Sequence, residues 1–141
     1  MKSKVRLFLG VAVTLVLGWS SPARAGTYLD AAALLLDETR RSSSFVQSHL
    51  TDMKLIEIAH QLAEARVKCG RAVVVPKEVD RAHPHLLLAL EVSERAIAAA
   101  LEGEPLRFLR LAVQARDEER TFRALLGEQK FTLPELEKEK K

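Results

Sequence analysis

Apolar residues are distributed along this chain in two distinct ways. From Leu7 to Leu17 they form a near-continuous run, broken only by Gly10 and Thr14. Beyond residue 25 they recur at spacings of three and four, the period of an amphipathic helix. Between Tyr28 and Cys69 there is neither Pro nor Gly, and the helix formers Ala, Leu, Glu, Arg and Lys dominate. Two apolar stripes cross that stretch. Leu29, Ala32, Ala33, Leu36 and Ser43 share one. Leu55, Ile58, Ala59, Leu62, Ala63 and Arg66 share the other, rotated by roughly 110° at about 100° per residue. A straight helix cannot bury both stripes against one partner, so the pattern predicts two helices, over about 28–49 and 52–69. One long bent helix is the alternative. Thr27 is a natural N-cap for the first helix, Thr51-Asp52 supplies one for the second, and Gly70 is expected just past its end.

The β-branched run Val73-Val74-Val75, stopped by Pro76, predicts an extended crossover around 71–80. A third helix follows from about Pro84 to Glu102, with Leu86, Leu90, Ser93, Ile97 and Leu101 on one stripe. Glu102-Gly103-Glu104-Pro105 between two Leu-rich segments is the clearest helical-hairpin signal in the chain. The fourth helix carries Phe108, Leu111, Ala112, Ala115, Phe122 and Leu126, with Gly127 as its stop. These elements predict an all-α fold, an antiparallel four-helix bundle with up-down-up-down connections over 26–127. Residues 128–141 are expected to form a flexible charged tail, with one extra helical turn at Thr132–Glu135.

The N-terminal run has a different meaning. Lys2, Lys4 and Arg6 precede it, and Ala23-Arg24-Ala25 follows it as an Ala-x-Ala site. A basic start, a short apolar middle and small residues at −3 and −1 define a secretory signal peptide over 1–25. Its apolar stretch is about a dozen residues, short of the roughly 20 that span a bilayer. Cleavage between Ala25 and Gly26 would deliver the chain to the periplasm or the medium, with no membrane span left in it.

Removing that segment changes the charge picture. The whole chain has 22 basic and 19 acidic residues, a formal +3. Lys2, Lys4, Arg6 and Arg24 leave with the signal, so the mature chain is close to neutral. A nucleic-acid-binding surface is therefore not expected. Trp19 also leaves, so the mature form should lack tryptophan emission. One cysteine remains, Cys69. In an oxidising compartment it has no internal partner, and it is buried and inert, a free thiol, or an intermolecular link.

Candidate chemistry is sparse. Glu57-Ile58-Ala59-His60 has the Glu-x-x-His spacing of di-iron bundles, but helix four offers only Glu119-Arg120-Thr121-Phe122 at the matching place. By rotation Glu57 and His60 point away from the apolar stripe and should face water. Cys69, Asp80, His83 and His85 all fall at the crossover end of the predicted bundle. Thiolate, imidazole and carboxylate suit Zn²⁺ or copper, so these four form a candidate metal site. There is no Gly-x-Ser-x-Gly elbow, phosphate loop or haem motif, and an enzyme is not expected. A second apolar strip reads Leu106, Leu109 and Val113 on helix four, with a similar surplus at Leu88, Val92 and Ala99 on helix three. A bundle helix needs only one apolar face. The surplus points to an interaction surface for a protein partner or a second copy. The leading expectation is thus an exported, non-catalytic interaction module. A small periplasmic metal-binding or metal-sensing protein is the alternative.

Overall fold

The computed structural model describes residues 23–136, and this part of the chain is all-helical. The order is α1 (Ala23–Ser48), α2 (Met53–Ala72), a 3₁₀ turn (Lys77–Val79), α3 (His83–Leu101) and α4 (Pro105–Glu128). There is no strand among the described residues. The signal segment expected over 1–25 lies outside them, apart from Ala23–Ala25 in the first turn of α1.

The break between α1 and α2 falls where the caps place it. Asp52 has extended backbone angles, and its carboxylate accepts a hydrogen bond from the Leu55 amide at 3.2 Å. That bond satisfies one of the free N–H groups at the start of α2. Gly103, with φ of +77°, ends α3 in the left-handed region that glycine tolerates best. Pro105 then opens α4, where a missing N–H is harmless.

Two expected helix stops are not stops. Gly70 lies inside α2, which continues to Ala72, and Gly127 lies inside α4. Gly70 has a packing reason instead. A Cβ added there would come within 2.6 Å of Leu90 Cδ1 and 3.3 Å of Leu87 Cδ2. The missing side chain lets α2 approach α3 closely.

α3 is the central element, packing on α4, α2 and α1, while α1 also packs on α2. The core divides into two clusters. One joins Tyr28, Leu29, Ala32 and Leu36 of α1 to Leu86 and Leu90 of α3 and Phe122 and Leu126 of α4. The other joins Val46 and Ile56 to Ile97, Ala100 and Phe108. Between the clusters α1, α3 and α4 contribute the buried polar residues Thr39, Ser93 and Glu119. Each has a partner: Thr39 donates to the Leu35 carbonyl, Ser93 pairs with Ser43, and Glu119 accepts from Arg123.

The crossover is extended between Val73 and Pro76, not over the whole of 71–80, since α2 runs to Ala72 and a 3₁₀ turn begins at Lys77. Val73 and Val75 pack on the first cluster and Val79 is fully buried, leaving Val74 outside. After α4, residues 131–136 carry no regular structure, so the extra turn expected at Thr132–Glu135 is not formed. Phe131 and Leu133 nonetheless lie against the first cluster, and the Phe131 amide donates to the Leu126 carbonyl.

Candidate functional site

The stripe that α2 buries is not the one its bulkiest residues suggest. Ile56, Ala59, Ala63, Val67 and Gly70 face the core. Ile58 and Leu62, expected inside, are each 55% exposed. The helix is turned by roughly 70° from the expected phase at about 100° per residue. This rotation corrects the reading of His60 as well. His60 meets α3 rather than water, and its Nε2 lies 2.6 Å from Glu94 Oε1, both side chains being largely covered. A carboxylate only accepts, so the imidazole Nε2–H donates to it.

Glu64 sits one turn beyond His60 on the same face of α2. Ligand atoms of His60, Glu64 and Glu94 all lie within 4.8 Å of one another. One imidazole nitrogen and two carboxylates form a set that Zn²⁺ accepts, with room for water as a further ligand. A groove of about 500 Å³ adjoins them, lined by Glu64, Lys68, Arg71, Glu91, Glu94 and Arg95. Arg71 closes part of it, its Nη2 donating to Glu91 Oε1 at 2.8 Å. Three cationic side chains on this rim lower its affinity for a dication and favour mixed-charge or anionic neighbours.

The metal site expected from Cys69, Asp80, His83 and His85 is not assembled. The two histidines are drawn to different helices. His83 Nδ1 lies 3.0 Å from the Tyr28 hydroxyl on α1, the two rings being tilted with centroids 5.7 Å apart. His85 Nδ1 lies 2.7 Å from Glu118 Oε2 on α4. Cys69 and Asp80 are exposed. The reason is helical phase: residues 83 and 85 are about 200° apart on one helix and cannot face one ligand together. Burial pushes the His83 imidazole below its ordinary value, and in the tautomer that leaves Nδ1 unprotonated the Tyr28 hydroxyl donates to it. Burial also raises the Tyr28 phenol, which stays protonated as a donor.

The residues expected to form an interaction surface are exposed only in part. Leu106, Leu109 and Val113 are exposed on α4, and Leu88 is exposed on α3. Val92 is only 1% exposed and Ala99 is equally buried, so neither belongs to a surface. They are absorbed because α3 is covered by three helices rather than two. A surface that sequence reasoning missed lies on α2. Leu55, Ile58, Leu62, Ala65, Cys69 and Ala72 are spaced 3, 4, 3, 4 and 3 apart, and all but the half-buried Leu55 are exposed. The heptad spacing was visible in the chain. The apolar stripe predicted for α2 obscures it, because Ile58 and Leu62 belong to both.

No family model matches the chain, and no curated protein or solved structure was found to be similar to it.

Proposed function

We propose that this chain is an exported, non-catalytic protein-interaction module, cleaved between Ala25 and Gly26 and working in the periplasm or the medium. The observation that carries the reading is the rotated packing of α2, which leaves Ile58 and Leu62 in solvent. A contiguous row of large apolar side chains along a helix is the kind of surface that serves as a docking face. The strip Leu106, Leu109 and Val113 on α4 gives a second such face. No helix among the described residues is long and apolar enough to cross a membrane. The near-neutral mature charge favours a protein partner over nucleic acid.

An up-down-up-down path fits the cross-helix pairs. Tyr28–His83 and Ser43–Ser93 climb α1 and α3 in the same direction, whereas Arg71–Glu91 and His60–Glu94 run oppositely along α2 and α3.

Affinity capture from the native envelope tests the module. Proteins retained by the wild type should be lost with the pair Ile58→Glu and Leu62→Glu, or with the pair Leu109→Glu and Val113→Glu. An identical retained set for the wild type and both variants removes the reading. Export is tested by intact mass: a mature chain starting at Gly26 and lacking tryptophan emission is expected, and retention of residues 1–25 in the exported form would refute cleavage.

A metal-binding reading has one specific observation in its favour, the convergence of His60, Glu64 and Glu94. Equilibrium dialysis should then show one Zn²⁺ per chain, lost in His60→Ala. Absence of stoichiometric Zn²⁺ binding ends it.

A further inference from the structure

We propose that the first half of α4 docks on an anionic lipid surface, with Leu106, Leu109 and Val113 entering the headgroup layer and Arg110 and Arg116 binding lipid phosphates. This goes beyond the interaction-module reading, which can stand on α2 alone. Leu106 is 77% exposed and Val113 54%, and Leu109 is exposed as well. At about 100° per residue the three fall within roughly 60° of one another. They lie on the side of α4 away from buried Phe108, Ala115 and Phe122. By the same count Arg110 lies on one flank of the strip and Arg116 on the other. Both arginines are exposed.

Charge selects the occupant. Over residues 105–116 the helix carries Arg107, Arg110 and Arg116, with no acidic residue and no lysine. Arg107 is held by Glu102 and Glu104 at 3.2 and 3.3 Å. Asp117, the first carboxylate beyond the strip, is taken by Arg120 at 2.7 Å. Glu118 and Glu119 are engaged in turn by His85 and Arg123. The cleft beside Arg116 takes Thr39, Arg40, Ser43 and Ser44 from α1, so α1 brings no carboxylate to that flank. Neither Arg110 nor Arg116 has an ion pair or hydrogen bond among the described residues. Two free cations therefore border an apolar strip whose neighbouring acids are already paired.

Shape and residue type favour lipid over an acidic protein. Leu106 follows the Gly103 turn and is more exposed than any other large apolar side chain among the described residues. A protein partner must supply a groove for a leucine that stands so far out, whereas a fluid interface needs no matching pocket. The guanidinium fork pairs with two phosphate oxygens at once, which an ammonium cannot do. Its long stem lies along apolar surface while the charge stays at headgroup level, so the leucines can go deeper than the arginines. A basic helix with one apolar strip lies in the plane of the headgroups rather than across them. The strip over residues 106–113 is roughly 10 Å long at about 1.5 Å per residue, so binding is reversible and depends on charge.

Co-sedimentation of the purified exported form with vesicles reads the binding. Vesicles of equal parts phosphatidylcholine and phosphatidylglycerol should retain the wild type at low salt, and vesicles of phosphatidylcholine alone should retain little. Added salt should release the bound protein. Arg110→Glu with Arg116→Glu, and separately Leu106→Gln with Val113→Gln, should each weaken partitioning by at least about tenfold. All four residues are exposed, so helicity and unfolding midpoint should be retained in both variants, and circular dichroism checks this. Ile58→Glu with Leu62→Glu, on α2, should bind as the wild type does. Absence of binding at low salt, equal binding to both kinds of vesicle, indifference to the α4 variants, or an equal loss in the α2 variant each overturns the proposal. An acidic protein captured through Arg110 and Arg116 by a chain that binds no vesicle would overturn the lipid assignment alone and leave the interaction module standing.

Discussion

Helices α2 and α3 lie side by side and treat their apolar residues in opposite ways. α3 puts nearly all of its apolar residues inside: Leu86, Leu90, Val92, Ala96, Ile97 and Ala99 are all buried, Leu88 being exposed. α2 buries Ile56, Ala59, Ala63, Val67 and Gly70, and shows Met53, Ile58 and Leu62 to solvent. The difference is one of position. α3 is covered by three helices, so almost any face is an inside face. α2 has a face to spare, and the close approach at Gly70 helps choose which side meets α3. Bulk and fit, as well as hydrophobicity, decide which side of a peripheral helix faces the core.

The comparison is tested most strongly in the core of α3. Ile97→Ala or Leu86→Ala should cost about 2–5 kcal/mol, the range for truncating a buried aliphatic side chain. Urea unfolding measures it, and a loss below about 1 kcal/mol would mean that α3 is not the centre of the fold. Next in size is the contact itself. Gly70→Val should cost about 1–3 kcal/mol, because its branches must displace buried Leu90. In a Leu90→Ala background the same change fills vacated space, and the coupling should recover at least about 0.5 kcal/mol. Equal costs in both backgrounds would show that α2 and α3 do not touch through Gly70.

Much of the architecture was legible because caps and turns are local. Asp52, Gly103 and Pro105 each act within a few residues of themselves, and each marks a real boundary. The apolar stripes of α1, α3 and α4 were legible for a related reason: the bulky residues on the predicted stripes, such as Leu29, Leu36, Leu86, Ile97, Phe108 and Phe122, are buried. α2 was not, because the fact that decides its rotation lies on another helix. Gly70 reads as a terminator until Leu90 is seen against it. The candidate sites failed on the same ground. His83 and His85 are neighbours in sequence, yet Tyr28 and Glu118 pull them to α1 and α4. His60 and Glu94 are far apart in sequence and meet across two helices. Proximity in a helical chain does not foretell convergence, since two residues apart is nearly half a turn away.

Smaller effects sharpen the comparison at the helix ends. Asp52→Ala removes the cap of α2 and should cost about 1 kcal/mol, while Asp52→Asn should keep most of it. Denaturant midpoints of the two variants measure the difference, and equal midpoints would deny the cap a role. At the start of α3, His83 is neutral in the fold and its ordinary pKa is 6.5. In the unfolded chain it takes up a proton near that value, so the unfolded state binds more protons just below it. The contribution of neutral His83 is therefore complete above that pH and is lost as pH falls through it, levelling off below the folded pKa. Comparing urea midpoints at about pH 7.5 and about pH 5 should show a drop that is smaller in His83→Gln. An identical drop in the variant would detach the loss from His83.

The smallest expected effect is the most discriminating. Leu62 and Ala63 are adjacent, and ordinary hydrophobic reasoning gives the larger residue the larger role in the core. The observed rotation of α2 reverses that order, with Leu62 in solvent and Ala63 buried. Leu62→Ala should then change the stability of the monomer by no more than about 0.5 kcal/mol, since it deletes no packed contact and alanine is at least as good a helix former. Ala63→Leu should cost about 1–3 kcal/mol, because it adds bulk to a residue buried in the second cluster. The measurement belongs at protein concentrations where the chain is monomeric, so that contacts between copies do not enter. If Leu62→Ala instead costs as much as a core truncation, Leu62 is inside. The contrast between α2 and α3 then disappears, and with it the free apolar face on which the interaction reading depends.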